Sequence, residues 1–560
     1  MVQRYDYIVV GAGSAGCVVA SRLAEDPTVT VLLIEAGARE RNPLMAMPLA
    51  CGQLFYRPSL NWGFETEQEP NADHRVLNRA AGKVVGGGSS INGMMYTRGH
   101  PRDYDQWAQL GCRGWSHADV LPYFKRAENN WRGASEAHGG DGPLTVSRHE
   151  PDDTFARIAE TARRMGYRVS DDFERDTPDG FGVTDFTTHR GRRASTARRY
   201  LYPALRRGNL TLLSETQTTR IRFDGRRAVG VQIVRNGAVG EIRAEREVIL
   251  SAGAYNSPKL LMLSGIGPAD ELAALGLDIV QDLKGVGRNL QEHPGVPMTF
   301  QPTRPAPFDD QIRLDRLTLS VVQWALTGRG VVAGLPFTAV GFCRTRPELE
   351  RPDLEFLFTP AAQEARVWFP GWRRPTRSGI GVSTWLMRPE SRGWVKLRSS
   401  EPTDNPRIFL NLLAEPGDRD TLLRGLRMVR EFMEAAPASS LVAGELVPGA
   451  EAQSDEAMLA HVRRMIRTAQ HPTSTCMMGV GPEAVVDPEL RVQGVLGLRV
   501  IDASVMPVII GGHTNAPTIM IAEKGADLVR GSSLNAAHSA GTSHQRDRRF
   551  ARTAAVTPPL

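Results

Sequence analysis

Three glycines and one acid near the N-terminus have the types and spacing needed to hold a nucleotide. Gly11, Gly13 and Gly16 form G-x-G-x-x-G in the segment VVGAGSAGCVV, and Glu35 follows Gly16 by 19 residues. In such a segment the first glycine permits a tight turn. The second lets backbone approach a pyrophosphate, and the third lets a helix pack on a strand. The free N–H groups of the helix N-terminus then face the phosphates. A carboxylate at the end of the next strand accepts hydrogen bonds from the ribose hydroxyls. It disfavours a phosphorylated ribose, so FAD or NAD fits better than NADP.

These residues need elements to position them, and the chain supplies them in order. Residues 7–10 are an apolar run that reads as a buried parallel strand, 15–25 as a helix, and 29–34 as a second strand ending at Glu35. A glycine-rich turn without a ligand is the plain alternative, and the glycines alone leave it open. The ordered strand, helix, strand and acid argue against it. Further on, 141–148 reads as a strand opening a new sheet, 195–208 as a helix, and 209–235 as strands around an Asp-Gly turn. Residues 248–267 read as a buried strand, a small-residue turn and a helix. Between 301 and 464, strands such as 393–399 alternate with helices such as 421–436. A last strand within 496–507 ends at an acid, and a helix follows over 516–530. No repeat of fixed period occurs. The pattern is α/β, with one domain interrupted by another.

The chain has 560 residues, 41% hydrophobic and 23% charged, ordinary for a globular protein. Its net charge of +6 comes mostly from scattered arginines, and no aromatic-interleaved basic stripe suits nucleic acid. The five cysteines are odd in number and form no C-x-x-C pair, which argues against a disulfide framework or a zinc site and for a reducing compartment. Residues 1–5 lack an apolar signal core, and no run of 18 apolar residues suggests a spanning helix. The expectation is a cytoplasmic protein, with peripheral contact to the inner membrane left open. Residues 532–560 are small, polar and basic, and read as a disordered tail.

Seven segments carry a resemblance, in order. They are GAGSAG with Glu35; GKVVGGGSSINGMMYTRG (82–99); SAGAYNSPKLLMLSGIGP; GVGRNLQEHP (285–294); RPESRGWVKL (388–397); HPTSTCMMG (471–479); and IDASVMPVIIGGHTNAPTIMIAEKGAD (501–527). Over residues 5–531 the chain resembles the glucose–methanol–choline family of FAD-dependent oxidoreductases, on its choline-dehydrogenase-like branch. The resemblance implies a Rossmann-like FAD-binding domain in three parts, 1–143, 195–300 and 465–531. It is interleaved with a substrate domain, 144–194 and 301–464, built on a mixed or antiparallel sheet with helices. It places Gly11, Ala12, Gly13, Ser14, Gly16, Glu35 and Ala36 at the ADP half and Thr218 at the adenine. Asp502 and Ala503 fall near the pyrophosphate and ribityl chain. Val85, Gly86, Asn92 and Met95 fall on the flavin side, with Asn515, Pro517 and Thr518 at the isoalloxazine ring. For the small residues, turn geometry and close cofactor approach are compatible readings.

The implied activity is oxidation of a primary alcohol to an aldehyde, with hydride transfer to flavin N5. The hydroxyl proton needs an acceptor, and histidine titrates in the right range. Composition selects none of the twelve histidines. The resemblance selects His471 as base and Asn515 as its partner, and leaves His513 a structural role or one of supporting the pair from behind. Ser474 stands where the family favours glycine. No clear choline-selecting constellation is present. The segment 360–375, with Trp368, Phe369 and Trp372, reads either as the lining of an aromatic pocket or as a loop packing its own aromatics. A lyase or light-driven decarboxylase on the same scaffold is the alternative activity, and a non-catalytic flavin-binding protein a third reading. The electron acceptor, whether oxygen, quinone or dye, stays open. Ile91 occupies the position where some relatives carry a flavin-linked histidine, so the FAD should be non-covalent. Acid precipitation of the purified protein should therefore leave yellow FAD in the supernatant. Flavin retained on the precipitated chain would contradict this.

Overall fold

The computed structural model describes residues 3–362 and 365–532, so the tail expected from 532 onward lies outside the described residues beyond Ser532. The chain opens with β1 (Gln3–Val10), α1 (Ser14–Leu23) and β2 (Val31–Ile34). The last four residues of β1 and all of β2 are buried, as two-sided burial in a parallel sheet requires. Their register pairs Tyr7 with Val31 and Val10 with Ile34. The glycine-rich segment and its following turns lead into α2 (His117–Ala127), whose Ser116 and Asp119 form a capping box.

The first sheet is completed much later in the chain by β3 (Leu210–Leu213), β4 (Gln217–Asp224), β5 (Arg227–Arg235) and β6 (Ala238–Leu250). Its order is β3-β2-β1-β6-β5-β4, and Leu498–Val500 also pairs with β6. The Asp-Gly turn falls where expected, between β4 and β5, with Gly225 at φ 54°. From the buried C-terminal end of β6 the chain enters α3 (Gly253–Leu263). Residues 195–208 differ from the single helix expected. They divide into a π turn Ala197–Leu201, an α turn Tyr202–Ala204 and a 3-10 turn Leu205–Arg207. Pro203 has no N–H to donate, so a regular α ladder cannot run through it. Leu144–Val146 pairs with Glu128–Asn130 in a two-stranded patch and does not open the large sheet.

The second sheet contains β7 (Pro294–Pro302), β8 (Ala339–Cys343), β9 (Leu354–Thr359), β10 (Ile380–Leu386) and β11 (Val442–Val447). Its order is β11-β7-β10-β9-β8, continuing through Gly180–Gly182 to Val169–Ser170. All pairs among β7–β11 are antiparallel, and the last pair is parallel, so the sheet is mixed. The strand expected over 393–399 lies apart from it, as Trp394–Lys396 beside Arg407–Phe409. β7 begins ahead of the boundary expected at 300, and Arg467–Thr468, expected in the FAD-binding part, pairs with it. Between β7 and β8 stands α4 (Leu314–Thr327), and between β10 and β11 stands α5 (Pro416–Glu434).

Helix α5 buries Leu422, Leu426, Val429 and Phe432 at helical spacing. Each such side chain contributes roughly 1.5–3 kcal/mol when fully buried. Gly425 brings the helix onto the sheet, because a Cβ there would lie 2.6 Å from a Leu354 methyl. Among the described residues no helix is long and apolar enough to cross a membrane.

The final helix, α6 (Asn515–Arg530), returns to pack against α1 and α2. One carboxylate ties these elements. Glu523 is fully buried, and accepts from Arg22 Nε at 2.8 Å, Arg126 Nε at 2.7 Å and the Tyr200 hydroxyl at 2.8 Å. Removing one member of a buried network strands the others' charges, at a cost of about 3–5 kcal/mol. Glu523→Ala should lose about this much stability in urea unfolding of the holoprotein. A change below ~1 kcal/mol would show that the two arginines reach solvent without it.

Candidate active site

The N-terminal glycines act through specific close approaches. Gly11 sits at φ +98°, and a Cβ on it would lie 2.5 Å from the Ser251 carbonyl oxygen. A Cβ on Gly16 would lie 1.8 Å from the Gly11 oxygen, so only glycine lets α1 seat on the turn. Gly13 and Gly88 behave differently. The nearest atom to a Cβ on Gly13 is 3.8 Å away, and around Gly88 there is nothing within 4 Å. Both line a cavity of about 1050 Å³, to which they present bare backbone. Gly13 also caps α1 without a side-chain hydrogen bond, so the first-turn N–H groups stay free for an anion.

Around this cavity the expected residues sort into two groups. Gly11, Gly13, Ser14, Glu35, Ala36, Asn92, Met95, Thr218, Asp502, Ala503, Asn515, Thr518 and His471 line it. Ala12, Gly16, Val85, Gly86 and Pro517 stand behind the wall. Val85 donates its N–H to Ala38 O, just beyond β2, and Gly86 donates to Ala12 O, which braces the glycine loop. Pro517 is buried in the first turn of α6. Glu35 accepts from Ala12 N at 2.9 Å and Gly37 N at 2.8 Å, and burial pushes its carboxyl up to about 7. Asp502 accepts from Gly253 N, the Ser257 hydroxyl and Ser504 N at 2.9, 2.6 and 2.8 Å. Thr218 Oγ1 is buried without a partner on the same wall. A long cavity with bare backbone, a free helix N-terminus, two acids and an unpaired hydroxyl fits a dinucleotide such as FAD.

His471 is held at the far side by its backbone and its ring. Its flanks are strained: Gln470 has φ 64° and Ser474 φ 74°, in the left-handed region that favours glycine. Ser474 therefore meets the conformational demand that glycine meets in the resembling family. Its hydroxyl donates to Thr473 Oγ1 at 3.1 Å. The His471 N–H donates to Glu292 Oε1 at 2.6 Å, and the His293 N–H donates to the same oxygen at 3.0 Å. Glu292 is in turn paired with Arg79 at 2.5 Å, and Arg79 reaches the Tyr255 hydroxyl.

Two further histidines meet His471. His293 Nδ1 lies 3.0 Å from His471 Nδ1. The His513 ring crosses that of His471 edge to face, with centroids 5.1 Å apart. His513 Nε2 contacts the buried carboxylate of Glu355 at 3.0 Å. Asn515, expected to partner His471, instead accepts the Ser14 hydroxyl at 2.8 Å, which ties α6 to the glycine loop. His513, expected in a structural or supporting role, also lines the cavity, with its ring against that of His471. The physical reason is geometric: position 513 precedes α6, whereas position 515 is the first residue of that helix and faces α1.

Burial, with like charge from His513 and His293, holds His471 well below the ordinary histidine value. Burial lowers His293 to about 3. The Nδ1–Nδ1 contact needs one donor and one acceptor. One of the two rings therefore carries its hydrogen on Nδ1 and the other on Nε2.

Trp368, Phe369 and Trp372 do not line the cavity. Trp368 donates to Asp309 O, while Phe369 is 38% and Trp372 59% exposed. The aromatic lining instead includes Trp62, Phe64, Tyr255, Phe308, Phe337 and Trp385. These residues come from separate parts of the chain, and no local motif gathers them. His293 lies within GVGRNLQEHP, but spacing alone does not show that it touches a histidine 178 positions away.

Comparison with known proteins agrees with this geometry. GMC oxidoreductase models match residues 5–295 and 389–522. The chain is 42% identical to the mitochondrial choline dehydrogenase of Homo sapiens, over 94% of this chain and 90% of that one. It is 41% identical to an oxygen-dependent choline dehydrogenase of Pseudomonas fluorescens, over 95% and 94%. Among solved structures, a formate oxidase of Aspergillus oryzae superposes with TM-score 0.87 at 30% identity, covering 95% of this chain and 98% of its own. Pyridoxine 4-oxidase from Mesorbium loti superposes at 0.84 and 29%, covering 93% and 98%. The chain belongs to the GMC oxidoreductase family and is an FAD-dependent alcohol oxidoreductase.

Proposed function

We propose that this protein oxidises a primary alcohol bearing an apolar chain to the aldehyde, with His471 as the base and FAD held non-covalently. The observation that carries this reading is His471 itself, on the cavity wall, kept neutral by burial, with its Nδ1 engaged by His293. Bound FAD supplies the acceptor for the carbon-bound hydrogen, as hydride, and its two electrons. His471 Nε2 takes the hydroxyl proton, so the charge and atoms of the two-electron oxidation balance. The Glu355 carboxylate holds His513 through Nε2, and the His513 ring beside His471 orients the alcohol oxygen. Asn515 serves the cofactor side, through Ser14. Phe308, Leu317, Val321, Phe337 and Leu357 line the substrate side, which supports an apolar chain. The relatives named for choline make choline the natural competitor, and a panel of aliphatic alcohols against choline separates the two.

His471→Ala should retain FAD and slow anaerobic flavin reduction by roughly 10²–10⁴-fold, the usual contribution of a positioned acid–base group. Asn515→Ala should loosen FAD more than it slows reduction. In wild type the neutral imidazole is the active form and burial lowers its pKa. The rate should therefore stay flat near neutrality and fall only as pH drops well below 6.5, the ordinary histidine value. A wild-type pH profile surviving in His471→Ala would place the base elsewhere.

Glu35 generates a second pH dependence. Its carboxyl, raised to about 7, is neutral below that pH, and the ionised form is the better acceptor for ribose hydroxyls. FAD binding to the apoprotein should tighten as pH rises through about 7. Glu35→Gln should abolish that rise and weaken binding by about tenfold or more, given the worth of hydrogen bonds to charged groups. Equal affinity of wild type and variant at pH 8.5 would remove Glu35 from the ribose site.

A further inference from the structure

Helix α4 is apolar on two faces, and only one is covered. On the inner face Leu317 and Val321 line the cavity. Trp324 is buried there, its Nε1 donating to Gly191 O and its ring under the Arg192 guanidinium at 4.3 Å. On the outer face Leu319, Val322 and Leu326 recur at helical spacing and are 71%, 52% and 82% exposed. A surface helix normally carries polar residues there. Single exposed leucines are ordinary, but a contiguous stripe marks an interaction site.

The stripe continues into a neighbouring loop. Leu314, itself exposed, donates its N–H to Trp368 O, which brings the exposed Phe369 and Trp372 alongside the start of α4. Basic residues accompany these side chains. Segments 304–329 and 365–378 together hold eight arginines against three aspartates. The aspartates are already engaged: Asp315 by Arg313, Asp310 by Arg316 and Asp309 by Ser378. Arg373 and Arg374 are exposed next to Trp372, with the Arg373 guanidinium 4.7 Å from its ring centre.

We propose that this lip, α4 with the 366–377 loop, docks on an anionic lipid surface. Exposed leucines, a tryptophan and flanking arginines are the composition of an interfacial anchor: the apolar stripe enters the acyl boundary while arginines meet anionic headgroups. A second copy fits the charge less well. A two-fold interface would set this patch against itself, arginines facing arginines. The inner face of the same helix is the cavity wall, so an apolar alcohol dissolved in the bilayer enters toward His471 beside its docking helix. That delivery role rests on the apolar-alcohol reading above, whereas the docking does not.

The test is sedimentation of the FAD-loaded protein with vesicles of phosphatidylglycerol and phosphatidylcholine, and with phosphatidylcholine alone. Wild type should bind the anionic vesicles, and raised salt should weaken that binding. Leu319→Glu with Leu326→Glu, and separately Arg373→Glu with Arg374→Glu, should each weaken binding by about tenfold or more. Both pairs are exposed, so flavin content and reduction by a short water-soluble alcohol should match wild type. That control separates a failure of docking from a failure of the activity reading. No binding to anionic vesicles, or equal binding by the variants, would overturn the proposal. So would a dimer in light scattering that Leu319→Glu with Leu326→Glu dissolves while vesicle binding is absent.

Discussion

The whole arrangement depends on how the last helix is held against the first. Glu523 of α6 joins Arg22 of α1, Arg126 of α2 and Tyr200, at a point without solvent. Such a buried network contributes little net stability over a well-packed apolar equivalent, but it is intolerant of losing one member. Its value here is positional. It brings the start of α6 to the glycine loop, where Asn515 accepts from Ser14, and it sets His513, just before the helix, against His471. Ser14 and Asn515 are separated by 501 positions.

The second organising contact is the carboxylate of Glu292. One of its oxygens accepts backbone N–H groups from both His293 and His471, and Arg79 balances its charge. Two histidines on separate strand ends are thereby fixed with their Nδ1 atoms in contact. Low dielectric then does the chemical tuning. An imidazolium at His471 would lose solvation and face two other rings, so the neutral imidazole is the resting form. Strain at Gln470 and Ser474 is held by this same surrounding structure, which over-determines the turn.

The cavity also has an asymmetry of wall material. Its nucleotide end is bare backbone and buried acids, with stiff glycine turns that admit no Cβ. Its other end is made of apolar side chains from α4 and the second sheet, such as Leu317, Val321 and Leu357. The rigid end positions a cofactor by backbone, and the apolar end accepts a substrate by burial. Helix α4 belongs to that second end and to the surface at once, which is why its two apolar faces have different consequences.

Sequence alone determined the features whose cause is local. The glycine spacing, the acid after β2, the Asp-Gly turn and the apolar runs of β1 and β2 follow from steric demands and burial periodicity within a few residues. The family motifs extended this to His471 and to the cofactor wall. The splitting of 195–208 at Pro203 was also local in cause, but a helical pattern masks where one type of turn passes to another. Only the tertiary structure decided which neighbour His471 has. His293 is 178 positions away, and His513 and Asn515 differ by two residues in a turn whose direction is set by α6 packing on α1. It also decided that Trp372 faces outward and Phe308 inward, since the side a loop presents depends on what it rests against. Periodicity reports what a segment can bury. Which partner covers it is settled by long-range packing, and that is where His471 received its neighbours and α4 kept its exposed apolar face.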